Sequence, residues 1–170
     1  MVNEKEKTKE FTITRVFNAP LSLVWQVHTD ATHLAKWWGP KGFKMLKCKL
    51  DLRPGGMFHY GMESPDGQAM WGKFVYREVN PQTKLVFVVS FSDENGGYTR
   101  HPLAPIWPLE TLNTMMLTEN NGKTTLVLSG HPINASEEEC NMFYSAFDGM
   151  NQGFKGTYDQ LEEYLTTIIK

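Results

Sequence analysis

The sequence predicts an α+β fold in which a curved antiparallel sheet of about six to seven strands grips a long C-terminal helix. Two observations carry this prediction. Short segments in which polar and apolar residues alternate follow one another through most of the chain, separated by turn-forming residues. The C-terminal segment instead repeats its apolar residues at helical spacing. Because a helix of this kind must bury its apolar stripe, and the sheet is the only large partner, the helix is expected to lie against the sheet.

Two short helices are predicted directly after the first strand. Residues 11–17 alternate apolar and polar side chains, which is typical of a half-buried strand. Pro20 then suits the first turn of a helix over about residues 21–30. A second helix, over residues 31–37, is ended by Gly39-Pro40. The residues that recur at helical spacing in the first helix are Leu21, Val24, Trp25 and His28.

The middle of the chain has the pattern of consecutive strands. Each segment is bounded by a turn signal such as Arg53-Pro54-Gly55-Gly56 or Asn120-Asn121-Gly122. Short turns of this kind favour antiparallel pairing. The predicted strands cover residues 46–52, 57–63, 69–79, 85–91, 111–118 and 124–128.

The last third contains a long connection and the C-terminal helix. Residues 92–110 are rich in glycine and proline around Trp107, and a connection of this length is usually functional or disordered. Ser136 and Glu139 form a capping box that opens a helical region, with an interruption predicted near residues 149–153. The apolar stripe of this region consists of Met150, Phe154, Tyr158, Leu161, Leu165 and Ile168.

The composition indicates a globular protein with one packed core. Hydrophobic residues make up 41% of the chain and charged residues 21%. The net charge is −2 and no stripe of lysine or arginine is present, so no nucleic-acid partner is expected. Residues 1–9 alternate lysine and glutamate and are expected to form a flexible tail, which leaves residues 10–170 as a single domain.

The expected location is the cytoplasm. No apolar stretch approaches the roughly 20 residues that a membrane-spanning helix needs. The N-terminus also lacks the apolar segment of a signal peptide. Cys48 and Cys140 show neither metal-ligand spacing nor a disulfide-rich pattern, which fits a reducing compartment.

Motifs spread over about residues 10–168 resemble a known family. They include Trp37-Trp38-Gly39-Pro40, the turn at residues 53–56 and Gly149-Met150-Asn151-Gln152-Gly153-Phe154. In this order they resemble the activator-of-heat-shock-chaperone-ATPase-like (AHSA1-type) proteins of the START-like, or SRPBCC, superfamily, which includes the birch-pollen allergen. The resemblance implies the helix-grip fold. It implies no single function, because the superfamily contains lipid carriers, polyketide cyclases, toxin-sequestering proteins and chaperone regulators.

The chain departs from the family pattern in two places. Phe154 stands where the family usually has tryptophan, and residues 98–108 form a longer, proline-rich stretch. Both changes are expected to reshape a cavity beneath the C-terminal helix. A ligand of a relative therefore does not carry over to this chain.

The first functional hypothesis is that the chain binds a hydrophobic or aromatic small molecule between the sheet and the C-terminal helix, for carriage, sensing or sequestration. Nine methionines would give such a cavity an adaptable wall. Trp38 and Trp107 are candidate lids at its opening. His59 is opposite in phase to Phe58 and Tyr60, so only one of these two sets faces inward. The candidate cavity residues are Trp38, His59, Met70, Trp107, Met115, Met150, Phe154 and Tyr158.

Catalytic motifs are absent from the sequence. There is no Gly-x-Ser-x-Gly elbow, no Gly-rich phosphate loop and no pair of histidines at metal-ligand spacing. We therefore predict no catalytic set, no metal and no cofactor. An enzyme of the cyclase or hydrolase type, using Arg15, His59, Tyr60 or Glu110, remains a second hypothesis. A structural ion pair is the favoured role of Arg15.

Protein partners give the remaining hypotheses. Regulation of a chaperone ATPase is implied by the family resemblance alone and ranks third. A homodimer through an edge strand or through residues 92–110 is left open.

Overall fold

The computed structural model describes residues 10–102 and 104–169. The tail predicted over residues 1–9 lies outside the described residues. The elements in chain order are β1 (Phe11–Phe17), α1 (Leu21–Thr29), α2 (Ala31–Trp37), β2 (Lys44–Leu50), β3 (Met57–Glu63), β4 (Ala69–Asn80), β5 (Lys84–Ser92), β6 (Tyr98–Thr99), β7 (Glu110–Asn120), β8 (Lys123–Ile133), α3 (Glu137–Ser145) and α4 (Phe147–Ile168).

The strands form one curved antiparallel sheet in the order β1-β8-β7-β5-β4-β3-β2, with the two-residue β6 paired to β5. The register shifts between Met45 and Lys47 and again between Tyr76 and Glu78. Such irregularities bend a strand and increase its twist, which helps the sheet to curve. The predicted α+β helix-grip class is confirmed. The short β6 lies inside the connection that the sequence left without a strand.

The two short helices follow β1 as predicted. The carbonyl of Pro20 accepts the backbone N–H groups of Leu23 and Val24, each at 3.1 Å, and so begins α1. The Asp30 carboxylate accepts the N–H of Thr32 at 2.8 Å and caps α2. α2 begins two residues after α1 ends, and the two helices contact different parts of the sheet: α1 packs against β7 and β8, whereas α2 packs against β2.

The break in the C-terminal helical region lies at Ala146, so the predicted interruption at residues 149–153 is wrong. Ala146 has φ −96° and ψ 3°, and its carbonyl accepts the N–H of Met150 at 2.9 Å. Each glycine inside a helix costs about 1 kcal/mol relative to alanine. Burial of the apolar stripe of α4 outweighs this cost, since Tyr158, Leu161 and Leu165 are each at most 3% exposed. The capping box of Ser136 and Glu139 is present as predicted.

The core lies between the sheet and the helices. Phe17, Val24, Leu126 and Leu161 are completely buried and join β1, α1, β8 and α4 in one apolar cluster. Within residues 10–102 and 104–169, none of the helices is long and apolar enough to cross a membrane. Several members of this cluster, among them Phe58, Leu128 and Tyr158, also line a cavity between the sheet and α4.

Candidate functional site

A cavity of about 350 Å³ lies between the sheet and α4. Ligand sites of small molecules commonly begin near this volume. The strands contribute one wall, formed by Phe58, Tyr60, Met62, Phe74, Tyr76, Leu85, Phe87, Val89, Phe91, Thr111, Asn113, Met115 and Leu128. The helices and connections contribute the other wall, formed by His28, Leu34, Trp37, Trp38, Gly39, Pro40, Trp107, Phe143, Met150, Gly153, Phe154, Thr157 and Tyr158.

The sheet wall is largely aromatic because alternate residues of β3, β4 and β5 point the same way. The Phe74 ring lies 5.2 Å from that of Phe58 and 4.5 Å from that of Phe87, measured between ring centroids. Tyr60 lies opposite Gly72 in the sheet, and a Cβ at Gly72 would come within 2.5 Å of the Tyr60 hydroxyl oxygen. Glycine at this position therefore lets the tyrosine ring lie across β4.

The helix wall is held in place by hydrogen bonds to backbone carbonyls. The indole N–H of Trp37 donates to the Val27 carbonyl at 2.9 Å. Gln160 on α4 donates through Nε2 to the Gly39 carbonyl at 2.6 Å. Since Gly39 follows Trp38, this bond fixes the end of the Trp37-Trp38-Gly39-Pro40 motif against α4. The motif is thus part of the cavity wall.

The side chains that line the cavity in the described part of the chain include no aspartate, glutamate, lysine or arginine. Its titratable side chains are held neutral by burial. Burial lowers the pKa of His28 to about 4, against the smaller, opposite effect of its hydrogen bond to Val24. Burial also raises the pKa of the hydroxyl groups of Tyr60, Tyr76 and Tyr158 well above the ordinary tyrosine range. At neutral pH the wall therefore carries no formal charge.

Six of the eight candidate residues from the sequence line this cavity: Trp38, Trp107, Met115, Met150, Phe154 and Tyr158. They come from the end of α2, the long connection, β7 and α4. These segments are far apart in sequence, and the fold brings them to one cavity. Trp38 lies within the aromatic wall, 5.4 Å from Phe74. Trp107 packs against Phe143 of α3 at 5.5 Å. Trp38 therefore belongs to the cavity wall, and Trp107 connects the long connection to α3 while also lining the cavity.

His59 and Met70 lie outside the lining. Phe58 and Tyr60 face the cavity, so strand alternation turns His59 to the other face of the sheet. There its ring stacks on Trp71 at 5.6 Å, and Nε2 lies 3.1 Å from the Asp93 carbonyl oxygen. Met70 is paired with Met62 in the sheet, but only Met62 is part of the lining.

The polar residues of the enzyme hypothesis do not cluster in the cavity. Tyr60 lines the cavity, whereas Arg15, His59 and Glu110 are not among the lining residues. Arg15 forms ion pairs with Asp159 at 2.7 Å and with Glu162 at 3.0 Å, as the sequence favoured. The Glu110 carboxylate accepts the Tyr98 hydroxyl at 3.3 Å.

The sequence reasoning missed His28 as a site residue. Its helical phase with Leu21 and Val24 placed it on the apolar face of α1, and that signal was sufficient to expect burial. Phe74 and Phe87 were also missed. Their alternation was visible, but the face of each strand that meets the cavity depends on sheet pairing, which the sequence did not supply.

The fold, with an apolar cavity between its sheet and α4, is that of a START-like helix-grip protein. The family described as Activator of Hsp90 ATPase homolog 1-like protein matches residues 18–166. The chain therefore belongs to this family, as the motif order predicted. Among curated proteins, none matches the chain.

Several solved structures share the fold over nearly the whole chain. Protein Ms6760 from Mycobacterium smegmatis is 29% identical, with 96% of this chain and 94% of that chain covered and a TM-score of 0.77. A protein from Arthrobacter aurescens is 24% identical, with 98% and 91% covered and a TM-score of 0.75. The AHSA1 protein from Silicibacter pomeroyi is 17% identical, with 94% and 99% covered and a TM-score of 0.66. The last two likenesses concern the fold alone.

Proposed function

We propose that this protein binds a hydrophobic or aromatic small molecule in the cavity between its sheet and α4, for carriage, sensing or sequestration. The observation that carries the proposal is a cavity of about 350 Å³ whose walls are mostly aromatic and aliphatic. Atoms that line an empty space lack contact partners on one side. A ligand of matching shape would supply those contacts and would bury apolar surface.

Binding can be tested with a thermal-shift screen of lipids, flavonoids and polyketides, followed by mass analysis of every hit. Saturable stabilisation with a chemically unchanged ligand is the expected result. Conversion of a hit into a product would instead support the enzyme hypothesis. Failure of all three classes to stabilise the protein, in the absence of turnover, would contradict the proposal.

Gly153 offers a way to obstruct the cavity without disturbing the core. It lies on α4, lines the cavity and is exposed, and a Cβ built on it meets no atom within 4 Å. We expect Gly153→Leu to reduce the affinity for any hit by at least about tenfold, which corresponds to about 1.4 kcal/mol. Isothermal titration calorimetry measures this change.

Gly156→Leu is the matched control for this variant. Gly156 is also an exposed α4 glycine with no atom within 4 Å of a built Cβ, but it is not part of the cavity lining. Its substitution should leave ligand affinity unchanged. Equal losses in both variants would indicate an effect on the helix and would argue against the cavity as the binding site.

Two finer points belong to the same proposal. We propose a cytoplasmic location, which the two unpaired cysteines Cys48 and Cys140 support. Regulation of a chaperone ATPase is an alternative that the description of the family suggests. Co-purification with a chaperone that is lost on changing exposed residues remote from the cavity would favour that alternative.

A further inference from the structure

His28 of α1 lines the cavity and carries a buried hydrogen-bond acceptor. Its Nδ1 lies 2.7 Å from the Val24 carbonyl oxygen. A carbonyl oxygen only accepts, so Nδ1 must carry the hydrogen and donate. The neutral ring has one N–H, and Nε2 therefore holds a free lone pair. The lowered pKa of His28 keeps a second proton off the ring at neutral pH.

The Nε2 acceptor has no partner among the described residues. His28 is 9% exposed, and Nε2 itself is covered by neighbouring wall atoms. The nearby Trp37 indole cannot serve, because its N–H already donates to Val27. A buried acceptor without a partner is unfavourable, and a donor brought by a ligand would relieve that cost.

A ligand reaches this acceptor only if a neighbouring side chain moves, and Tyr158 is the candidate for that movement. The Tyr158 ring lies 6.5 Å from the imidazole, also lines the cavity, and forms no hydrogen bond to another residue in the described part of the chain. A modest rotation of the Tyr158 ring would therefore break no hydrogen bond. Trp37, 4.9 Å from His28, is fixed by its bond to Val27.

The same cavity offers nothing to balance an ionised ligand. Its described lining contains no lysine or arginine, and Arg15 is already paired with Asp159 and Glu162. A carboxylate placed here would lose its hydration without gaining a cation. A neutral hydroxyl needs only one acceptor.

We propose that the cavity selects an uncharged aromatic or apolar molecule whose hydroxyl or N–H group donates a hydrogen bond to Nε2 of His28. This inference rests on the proposed binding function and narrows its ligand class. His28 acts as a ligand-binding residue that orients the molecule, while the aromatic walls supply the contact area.

Three probes with the same bicyclic frame test the inference: 2-naphthol, 2-methylnaphthalene and 2-naphthoate. All are titrated calorimetrically at neutral pH into the wild-type protein and into His28→Leu. The affinity ratio of naphthol to methylnaphthalene is expected to fall about five- to tenfold in the variant, the worth of one hydrogen bond. Use of the ratio cancels the different hydrophobicity of the probes. Naphthoate should bind most weakly to the wild-type protein.

His33→Leu is the matched control, because His33 contacts the Tyr164 hydroxyl at 2.7 Å and is not part of the cavity lining. Its naphthol to methylnaphthalene ratio should equal that of the wild-type protein. A second measurement needs no variant. With ¹⁵N-labelled histidine, the Nε2 resonance of His28 should shift clearly more on addition of naphthol than on addition of methylnaphthalene.

The outcomes separate this inference from the proposed function. If naphthol and methylnaphthalene both bind, but the ratio in His28→Leu is unchanged and Nε2 shifts no more with naphthol than with methylnaphthalene, the inference is wrong and the binding function stands. If naphthoate binds most tightly, the selection of uncharged ligands is wrong. If none of the three probes binds, the inference is wrong, and the thermal-shift screen alone decides whether the proposed function stands.

Discussion

At the residue scale, His28 makes the stability of the protein depend on pH. Its pKa falls from 6.5 to about 4 on folding, because burial disfavours the charged ring. Between these values the unfolded chain binds more protons than the folded protein does, so stability is full above pH 6.5 and declines as the pH falls towards 4. We expect this group to cost the wild-type protein about 2 kcal/mol of unfolding free energy between pH 7.5 and pH 5.

Urea denaturation at a series of pH values measures this loss, and His28→Leu is the reference. Asp93, Glu139 and Asp159, whose pKa values are lowered by hydrogen bonds, also reduce stability in acid. They are present in both proteins, so the difference between the two curves isolates His28. Parallel curves from pH 7.5 to pH 5 would show that His28 is protonated equally in the folded and unfolded states.

The spacing of residues in the sequence predicted part of the site. Met150, Phe154 and Tyr158 were predicted because helical spacing fixes which α4 residues share a face. His59 was uncertain, since alternation says that Phe58 and His59 face opposite sides without saying which side is enclosed. The tertiary structure decides which face of β3 is enclosed. The loop at Asp93 covers the outer face, where His59 lies, and the helices cover the inner face.

At the element scale, the glycines of α4 weaken a helix that tertiary packing maintains. Gly156 is exposed and helical, and a Cβ there meets no atom within 4 Å. We expect Gly156→Ala to raise the unfolding free energy by about 0.5–1 kcal/mol, because alanine loses less backbone entropy on folding. Equilibrium urea denaturation at neutral pH measures this gain.

Gly39→Ala is the opposite case and serves as the comparison. Gly39 has φ +108°, and a Cβ there would lie 2.4 Å from Sδ of Met62. Alanine at this position is therefore strained and crowded, and stability should fall by roughly 1 kcal/mol or more. A loss in Gly156→Ala similar to that in Gly39→Ala would mean that α4 is not helical around residue 156.

Element boundaries were predictable where the signal is local. The capping box of α3 was predicted because Ser136 and Glu139 lie three positions apart. The Asp30 cap of α2 is equally local but was not predicted. The break at Ala146 was not predictable, because it depends on how α3 and α4 pack. The extension of β8 to Ile133 was also missed, since Gly130 and Pro132 resemble turn residues until β7 is seen to pair with them.

At the scale of the whole molecule, the two layers that enclose the cavity are joined by Arg15. This β1 residue forms ion pairs with Asp159 and Glu162 of α4, and its side chain is only 18% exposed. Its hydrogen bond to Asp159 holds the pKa of that carboxyl below the usual range. Because β1 is an edge strand, the pairs connect the rim of the sheet to the gripped helix. The order of the strands, and hence this connection, was beyond the reach of sequence patterns.

We expect Arg15→Met to loosen α4 against the sheet while leaving the sheet itself paired. Methionine keeps the apolar stem of the side chain but loses both ion pairs. Amide hydrogen exchange should accelerate severalfold over Tyr158–Ile168, where the helix depends on docking, and should change little in β7 and β8. Mass spectrometry of peptic fragments resolves these regions.

Arg53→Met is the matched control. It also removes an arginine and its ion pair, but it leaves the contact between β1 and α4 intact. Arg53 forms an ion pair with Asp51 at 2.8 Å, but the pair lies in an exposed turn and the arginine side chain is 73% exposed. Such a pair contributes little to stability, so exchange in α4 should remain at the wild-type rate. Acceleration of α4 in both variants, or acceleration spread evenly over the sheet in Arg15→Met, would refute the view that Arg15 holds the helix to the rim. Selective acceleration in Arg15→Met would make β1 a structural support of the cavity, although none of the described β1 residues lines it.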